Sequence, residues 1–239
     1  VSLSLTLGAV LGPATVWVAI VAVAAVAAWI VAMARSEAPI IDVAVLRRPA
    51  LVVLNLSTIA INLVGFAVLL IVPFYLVRMV GLASRDAGFV LGLSFVGMMG
   101  GSALVPRLVG RLQAEPVALA GLLLVTAAQI GIGFLEAQSP VAVIAVALMA
   151  HGVGLGLFQV AAAIIVTGTL PPEQRGVAGS LGLVMRTVGV VAGASLLSLL
   201  YEGLLGAGQV TGTLADPVAA QVRAFQWTFF ASGAGLAGF

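Results

Sequence analysis

Long apolar runs, separated by short breaks that hold charged residues and prolines, dominate the pattern of this 239-residue chain. The complete runs cover residues 14–34, 50–73, 87–105, 116–135, 140–168 and 176–200. In a helix, roughly twenty apolar residues cross the ~30 Å hydrocarbon core of a bilayer. The runs are continuously apolar, whereas membrane-spanning strands alternate polar and apolar residues. The pattern therefore predicts an all-α, polytopic helical membrane protein with about six complete spans.

Partial helices are expected at both ends of the chain. Residues 1–10 have the pattern of a helix tail that ends at Gly12-Pro13, and a truncated span begins near Val222 after a polar stretch at 201–221. No basic segment precedes the first apolar run, so the pattern does not indicate a signal peptide. The chain begins at Val1 without an initiator Met and ends within an apolar stretch. We therefore expect a fragment of a longer protein.

Composition excludes several classes of function. Hydrophobic residues make up 62% of the chain and charged residues 8%, and the mean hydropathy is +1.27. These values exclude a water-soluble enzyme and a disordered chain. With no Cys and one His, neither a metal site nor a cofactor is expected, and the sequence contains no Ser/His/Asp arrangement, His-Glu-x-x-His pattern or phosphate loop. We expect a protein that is not an enzyme and has no nucleic-acid partner.

The positions of the arginines indicate the orientation of the spans. Loops on one side hold six of the ten basic residues, namely Arg35, Arg47, Arg48, Arg107, Arg111 and Arg175. Loops on the opposite side hold three. Because basic residues in short loops are retained in the cytoplasm, the loops at 35–48, 106–115 and 170–175 are predicted to be cytoplasmic.

Four small or polar residues share one face of the 50–73 span. Asn55, Thr58, Asn62 and Gly65 follow one another at steps of three and four residues, which places them on one side of a helix. Amides that faced lipid would lack hydrogen-bond partners. This face is therefore expected to line a water-filled path, or alternatively to form hydrogen bonds that hold neighbouring helices together.

Small residues recur at the spacing that lets helices pack closely. Gly-xxx-Gly steps occur at 88–92, 97–101 and 152–156. Such steps let neighbouring backbones approach, and they also occur at sliding or bending points. The expected helix-packing glycines are Gly152, Gly156, Gly182, Gly189 and Gly193.

Polar and ionisable residues inside the spans are the candidate functional residues. His151 lies near mid-membrane and could relay protons, although a neutral His bonded to a neighbouring helix is the alternative. No Asp or Glu lies in the middle of a span, so any coupling carboxylate is expected before Val1. The candidates for a translocation path are Asn55, Asn62, Gln129, His151, Gln159 and Arg186.

Arg186 lies within a span, on a stripe of glycines formed with Gly179, Gly182, Gly189 and Gly193. A helix face without side chains packs against another helix, so Arg186 is expected to point into the bundle. The alternative is that its long side chain extends to the cytoplasmic surface.

Three stretches resemble the drug/proton antiporters of the fourteen-span branch of the major facilitator superfamily. EAPIIDVAVLRRPALVVLN resembles the entry to their ninth helix, and AHGVGLGLFQVA their twelfth helix, although Val160 stands where a Pro is frequent. LPPEQRGVAGSLGLVMRTVGVVAGASLL resembles their loop and helix near the thirteenth span. The resemblance implies that residues 1–48 hold the end of one linker helix, a second linker helix at 14–34 and a cytoplasmic interfacial loop. Residues 49–239 would form the C-terminal helix bundle, with its last helix truncated.

The same resemblance implies a gating loop at the cytoplasmic end of the bundle. PRLVGRLQAEP is similar to the family's Gly-x-x-x-Asp-Arg-x-Gly-Arg loop, and its matching positions are Arg107, Gly110 and Arg111. No Asp precedes Arg107, which is a departure from the family pattern. An ion pair at this loop is therefore not expected from the chain alone.

The resemblance implies the C-terminal half of a proton-coupled multidrug efflux transporter in the cell (inner) membrane of a bacterium. Such a protein exports hydrophobic or cationic small molecules by alternating access. Its partners would be the lipid bilayer, the missing N-terminal half, a small-molecule substrate and protons. The alternative function is a non-transporting polytopic subunit with a structural, assembly or channel-like role.

Overall fold

The computed structural model describes residues 49–172, 175–210 and 217–238. Within these ranges every regular element is a helix, as the apolar runs predict. The six helices are α1 Pro49–Arg78, α2 Ser84–Val109, α3 Ala114–Gly133, α4 Val141–Thr169, α5 Arg175–Val210 and α6 Pro217–Ala237. The predicted partial helix at 1–10 and the predicted span at 14–34 lie outside the described residues.

Five of the predicted spans are confirmed as helices long and apolar enough to cross a membrane. They are α1, α2, α3, α4 and the Gly179–Tyr201 part of α5. The predicted end of the first of them at residue 73 is wrong, because α1 continues through Pro73 to Arg78. Helices within membranes tolerate an internal proline when neighbouring groups satisfy the freed backbone.

The predicted breaks around the spans are longer than the observed ones. Arg107 belongs to the last turn of α2, and α3 already begins at Ala114, so only residues 110–113 separate the two helices. The polar stretch at 201–221 begins where the membrane-spanning part of α5 ends, at Tyr201, and the helix itself continues through Val210. The chain has no proline between Pro172 and Pro217, so no strong helix breaker interrupts α5.

Glycines set the distance between α2 and α4. Gly152 and Gly156 on α4 lie against the carbonyl oxygens of Ser94 and Met98 on α2, so a Cβ atom at either glycine would overlap the facing backbone. In return, Gly97 of α2 lies against the backbone of α4 at Met149. The Gly-xxx-Gly steps at 97–101 and 152–156 are thus a mutual contact surface.

The Gly-xxx-Gly step at 88–92 does not pack in the predicted way. Gly88 and Gly92 have open space where a Cβ would lie. Nine residues separate Gly88 from Gly97, which corresponds to about 180° around a helix. The two steps therefore lie on opposite faces of α2, and only the later one faces α4.

Among the remaining helices, α5 packs along α1, α3 packs on α4, and α6 contacts α3, α5 and α1. Gly189 and Gly193 of α5 lie against the backbone of α1. Near the other end of α1, the ring of Tyr75 stacks on Phe225 of α6 with 4.4 Å between centroids. The Tyr75 hydroxyl donates a 2.6 Å hydrogen bond to the carbonyl oxygen of Glu136, which follows α3. These contacts leave a seam between the α1–α5 pair and α4.

Candidate functional site

Two adjoining cavities, of about 130 and 260 Å³, lie along the seam between α1, α4 and α5. α2 forms a further wall of the smaller cavity. Both cavities are lined by Asn62, Gln159 and Arg186, and we refer to the joined space as the polar cleft. Joined, the two cavities reach the lower end of the ~300–1,000 Å³ range of small-molecule sites.

The α1 wall of the polar cleft consists of the four small or polar residues that share one face of this helix. Asn55, Thr58 and Asn62 line the larger cavity, and Asn62 and Gly65 line the smaller one. The Thr58 hydroxyl donates to the carbonyl of Leu54, and the Asn62 amide donates to the carbonyl of Thr58, each at 2.8 Å. Both bonds are internal to α1. These two donors therefore satisfy their own helix and do not join it to a neighbour.

The α4 wall of the polar cleft holds His151 and Gln159. His151 is 1% exposed and lines the smaller cavity, and its Nδ1 lies 3.4 Å from the Ser94 hydroxyl of α2. Its Nε2 has no hydrogen-bond partner among the described residues. Gln159 is partly exposed and lies eight residues further along the helix, about 80° around it from His151.

The α5 wall of the polar cleft holds Arg186. Its side chain is exposed on the isolated chain and lines both cavities. The glycine stripe on which it lies divides into two halves. Gly189 and Gly193 pack on α1, whereas Gly179 and Gly182 border the larger cavity and have open space where a Cβ would lie. The predicted packing role of Gly182 is therefore not observed, because α5 faces the cleft and not a helix at that position.

The charge of the polar cleft comes from a single side chain. Among the described residues that line either cavity, Arg186 is the charged one, and none is Asp or Glu. This arrangement agrees with the absence of a mid-span acid in the sequence. The other polar groups of the cleft are amides, hydroxyls and an imidazole.

Gln129 lies away from the polar cleft, although the sequence groups it with the translocation-path candidates. Its side chain is fully buried on α3, and its Nε2 donates a 2.6 Å hydrogen bond to the carbonyl oxygen of Val64 on α1. Its Oε1 has no partner among the described residues. The bond ties α3 to α1 on the side away from the cavities.

The candidate gating residues lie at the junction of α2 and α3, also outside the polar cleft. Arg107 and Arg111 are exposed, and Gly110 caps α2 with its N–H bonded to the Pro106 carbonyl at 3.2 Å.

The α2 wall of the smaller cavity is the part that sequence reasoning missed. Ser94, Phe95 and Met98 line it together with Leu91. Their spacing matches one face of a helix, but an apolar run gives no sign of which face borders a cavity. The one available signal was the hydroxyl of Ser94 within that run.

Comparison with known proteins gives a family match over most of the chain. The sequence profile of the Major Facilitator Superfamily matches residues 54–239. The riboflavin transporter RibZ of Clostridioides difficile (strain 630) is 25% identical over 167 residues, which are 70% of this chain and 37% of that protein. The tetracenomycin C resistance and export protein of Streptomyces glaucescens is 29% identical over 189 residues, 77% of this chain and 34% of that protein.

A further relative is the uncharacterized MFS-type transporter YvkA of Bacillus subtilis (strain 168), 26% identical over 170 residues, 70% of this chain and 37% of that protein. The chain thus spans about a third of the length of the curated relatives it matches.

Proposed function

The chain belongs to the Major Facilitator Superfamily of membrane transporters, and from this premise we propose that it is the C-terminal half of a proton-coupled efflux transporter. The proposed transporter lies in the cell (inner) membrane of a bacterium and exports hydrophobic or cationic small molecules by alternating access. In this proposal the polar cleft is the part of the translocation path that the chain contributes.

The observation that carries the proposal is the depth of the polar cleft within the spanning helices. Asn62 is the fourteenth residue of α1 and His151 the eleventh of α4, so each lies ~15–20 Å from its helix end at 1.5 Å per residue. Both therefore lie near the middle of a ~30 Å hydrocarbon core. Secondary transporters bind their substrates near this midplane, between two halves that rock against each other.

The names of two relatives support a small organic substrate. One names riboflavin as the compound transported, and the other names resistance to and export of tetracenomycin C. Neither name describes a structural or assembly subunit. A non-transporting subunit has no need of amides, an imidazole and a guanidinium around a cavity at this depth, where polar groups are costly.

Proton coupling is assigned to the part of the transporter outside this chain. A coupling site needs a group that gains and loses a proton along the path. Among the described residues lining the polar cleft, His151 is the one candidate for such a group, and none is a carboxylate. The coupling acid would lie in the N-terminal half. The α2–α3 junction, with Arg107, Gly110 and Arg111, would be cytoplasmic because of its basic residues.

The test is transport by the full-length protein and by residues 1–239 in parallel proteoliposomes with an imposed proton gradient. Three fluorescent compounds are offered: a neutral hydrophobic dye, the cation rhodamine 123 and the anion fluorescein. The full-length protein is expected to move at least one of them, and an uncoupler should abolish the movement. The chain alone is expected to move none, because half of the path and the coupling acid are absent. Gradient-driven movement by the chain alone, or none by the full-length protein, would contradict the proposal.

A further inference from the structure

The polar cleft has an unusual charge for a site that accepts cations. Arg186 projects into both cavities, and the described lining residues include no carboxylate to neutralise it. A guanidinium presents several donors in a planar fork that matches a carboxylate or another flat anionic group. In the low dielectric of a membrane protein, its charge attracts an anion and repels a cation more strongly than it would in water.

Neutral donors and acceptors surround Arg186 on the two facing helices. The amide side chains of Asn62 and Gln159 line the same two cavities as the guanidinium. Neither amide carries a charge that would offset the arginine. Together the three side chains form a polar edge that suits an acidic group flanked by carbonyl or hydroxyl groups.

The lining of the smaller cavity also includes apolar and aromatic side chains. Phe66 of α1 and Phe95 of α2 line it, together with Met98 and Leu155. Aromatic rings and the thioether of methionine pack well against a planar ring system. The cavity therefore offers an apolar surface for a flat molecule whose polar edge meets Arg186.

His151 supplies an independent sign of a bound molecule. It is 1% exposed, and its Nε2 lacks a partner among the described residues while the side chain lines the smaller cavity. Buried polar atoms almost always have a hydrogen-bond partner. Gly65 of α1 borders this atom, since a Cβ there would lie in van der Waals contact with Nε2, at 3.7 Å.

We propose that the polar cleft binds an aromatic anion, with the acidic group of the ligand on the Arg186 guanidinium and a hydroxyl or carbonyl group on His151 Nε2. This inference rests on the proposed function and revises its substrate class: the compound is hydrophobic and aromatic, but its charge is negative and not positive. Arg186 is then a residue that determines specificity by charge.

The test compares two dyes that share a xanthene ring and differ in charge, fluorescein and rhodamine 123. Their binding to the purified full-length protein is measured by fluorescence anisotropy at pH 8, where fluorescein is an anion. The variants are Arg186→Gln and Arg186→Lys. The matched control is Arg223→Gln, which removes an exposed arginine of α6 that does not line the polar cleft.

The wild-type protein is expected to bind fluorescein at least tenfold more tightly than rhodamine 123. Arg186→Gln should weaken fluorescein binding tenfold or more and leave rhodamine binding unchanged or tighter, whereas Arg186→Lys should weaken fluorescein binding less. Arg223→Gln should match the wild type. Equal binding of both dyes, preference for the cation, or no binding of either would overturn the inference.

A fourth outcome would overturn the inference in favour of a structural role. If Arg186→Gln weakens the binding of both dyes by the same factor, the arginine does not discriminate between ligands by charge. Its role would then be to pair with an acid of the N-terminal half. The proposed function fails separately. A protein that exports rhodamine 123 but does not bind fluorescein is a transporter with the wrong substrate class, and one that binds fluorescein but moves no dye is not a transporter.

Discussion

Gly152 on α4 lies directly against the backbone carbonyl oxygen of Ser94 on α2. The adjacent His151 contacts the hydroxyl of the same serine, with 3.4 Å between Nδ1 and Oγ. The close approach of two backbones and the position of the buried imidazole therefore depend on one contact. The glycine packing surface between α2 and α4 positions a wall of the polar cleft.

Gly152→Ala is expected to destabilise the protein by ~1–3 kcal/mol, because the added methyl group overlaps the Ser94 carbonyl and forces the two helices apart. The measurement is thermal unfolding of the purified protein in detergent. Gly100→Ala is the control, since Gly100 lies on α2 with open space where a Cβ would lie. Equal stability of the two variants would show that the α2–α4 contact is looser than described.

Two variants of Tyr75 separate the contribution of its hydrogen bond to stability from the contribution of its ring packing. Tyr75→Phe keeps the stack on Phe225 but removes the donor to the Glu136 carbonyl, at a cost of ~0.5–1.5 kcal/mol. Tyr75→Ala also leaves a cavity and should cost ~3–5 kcal/mol. Both values come from unfolding in detergent. If the two variants lost the same amount of stability, the stacked rings would contribute nothing to holding α6 on α1.

Gln129→Met is expected to lower stability by ~0.6–2 kcal/mol, the usual range for a hydrogen bond between membrane helices, and to leave transport by the full-length protein unchanged. The reason is that Gln129 ties α3 to Val64 of α1 and does not line the polar cleft. Dye transport per folded molecule is the readout. A loss of transport per folded molecule would show that Gln129 belongs to the translocation path.

Arg186→Ala in the full-length protein is expected to reduce transport strongly while leaving the expressed amount nearly unchanged. Arg186→Lys should restore only part of the activity, because an ammonium group cannot reproduce the planar fork of guanidinium donors. Expression is followed by immunoblot and transport by dye efflux from cells. Full activity of the alanine variant would show that the side chain extends to the membrane surface and takes no part in transport.

The spans and the polar face of α1 could be predicted from the sequence because both depend on local periodicity. Asn55, Asn62 and Gly65 share a face whichever helices surround it. Contacts between helices could be predicted only in part, since Gly182 does not meet a neighbouring helix, whereas the other expected packing glycines do, namely Gly152, Gly156, Gly189 and Gly193. The glycines at 88 and 97 lie in the same run, yet only Gly97 meets a neighbouring backbone.

Residue type alone does not distinguish side chains that tertiary position separates. Gln129 and Gln159 are the same residue type within two apolar runs. The structure buries the first against α1 and places the second on the wall of the cleft. The apolar run within α5 ends at residue 200, and the membrane-spanning part of this helix ends at Tyr201. The helix nevertheless continues to Val210, because without a proline a helix can extend beyond the hydrocarbon core.

The central claim, that the polar cleft is a water-accessible path, is tested most directly by thiol labelling of the full-length protein in membranes. Neighbouring positions of α1 supply the pair: Asn55 lines the larger cavity, whereas Leu56, although 46% exposed on the isolated chain, does not line the cleft. Residues 1–239 contain no native Cys, and any in the N-terminal half are replaced. We predict that Asn55→Cys reacts with a small hydrophilic maleimide and is protected by a transported compound, while Leu56→Cys, outside the cleft, remains unlabelled. Equal labelling of the two positions, or none at Asn55→Cys, would contradict the claim.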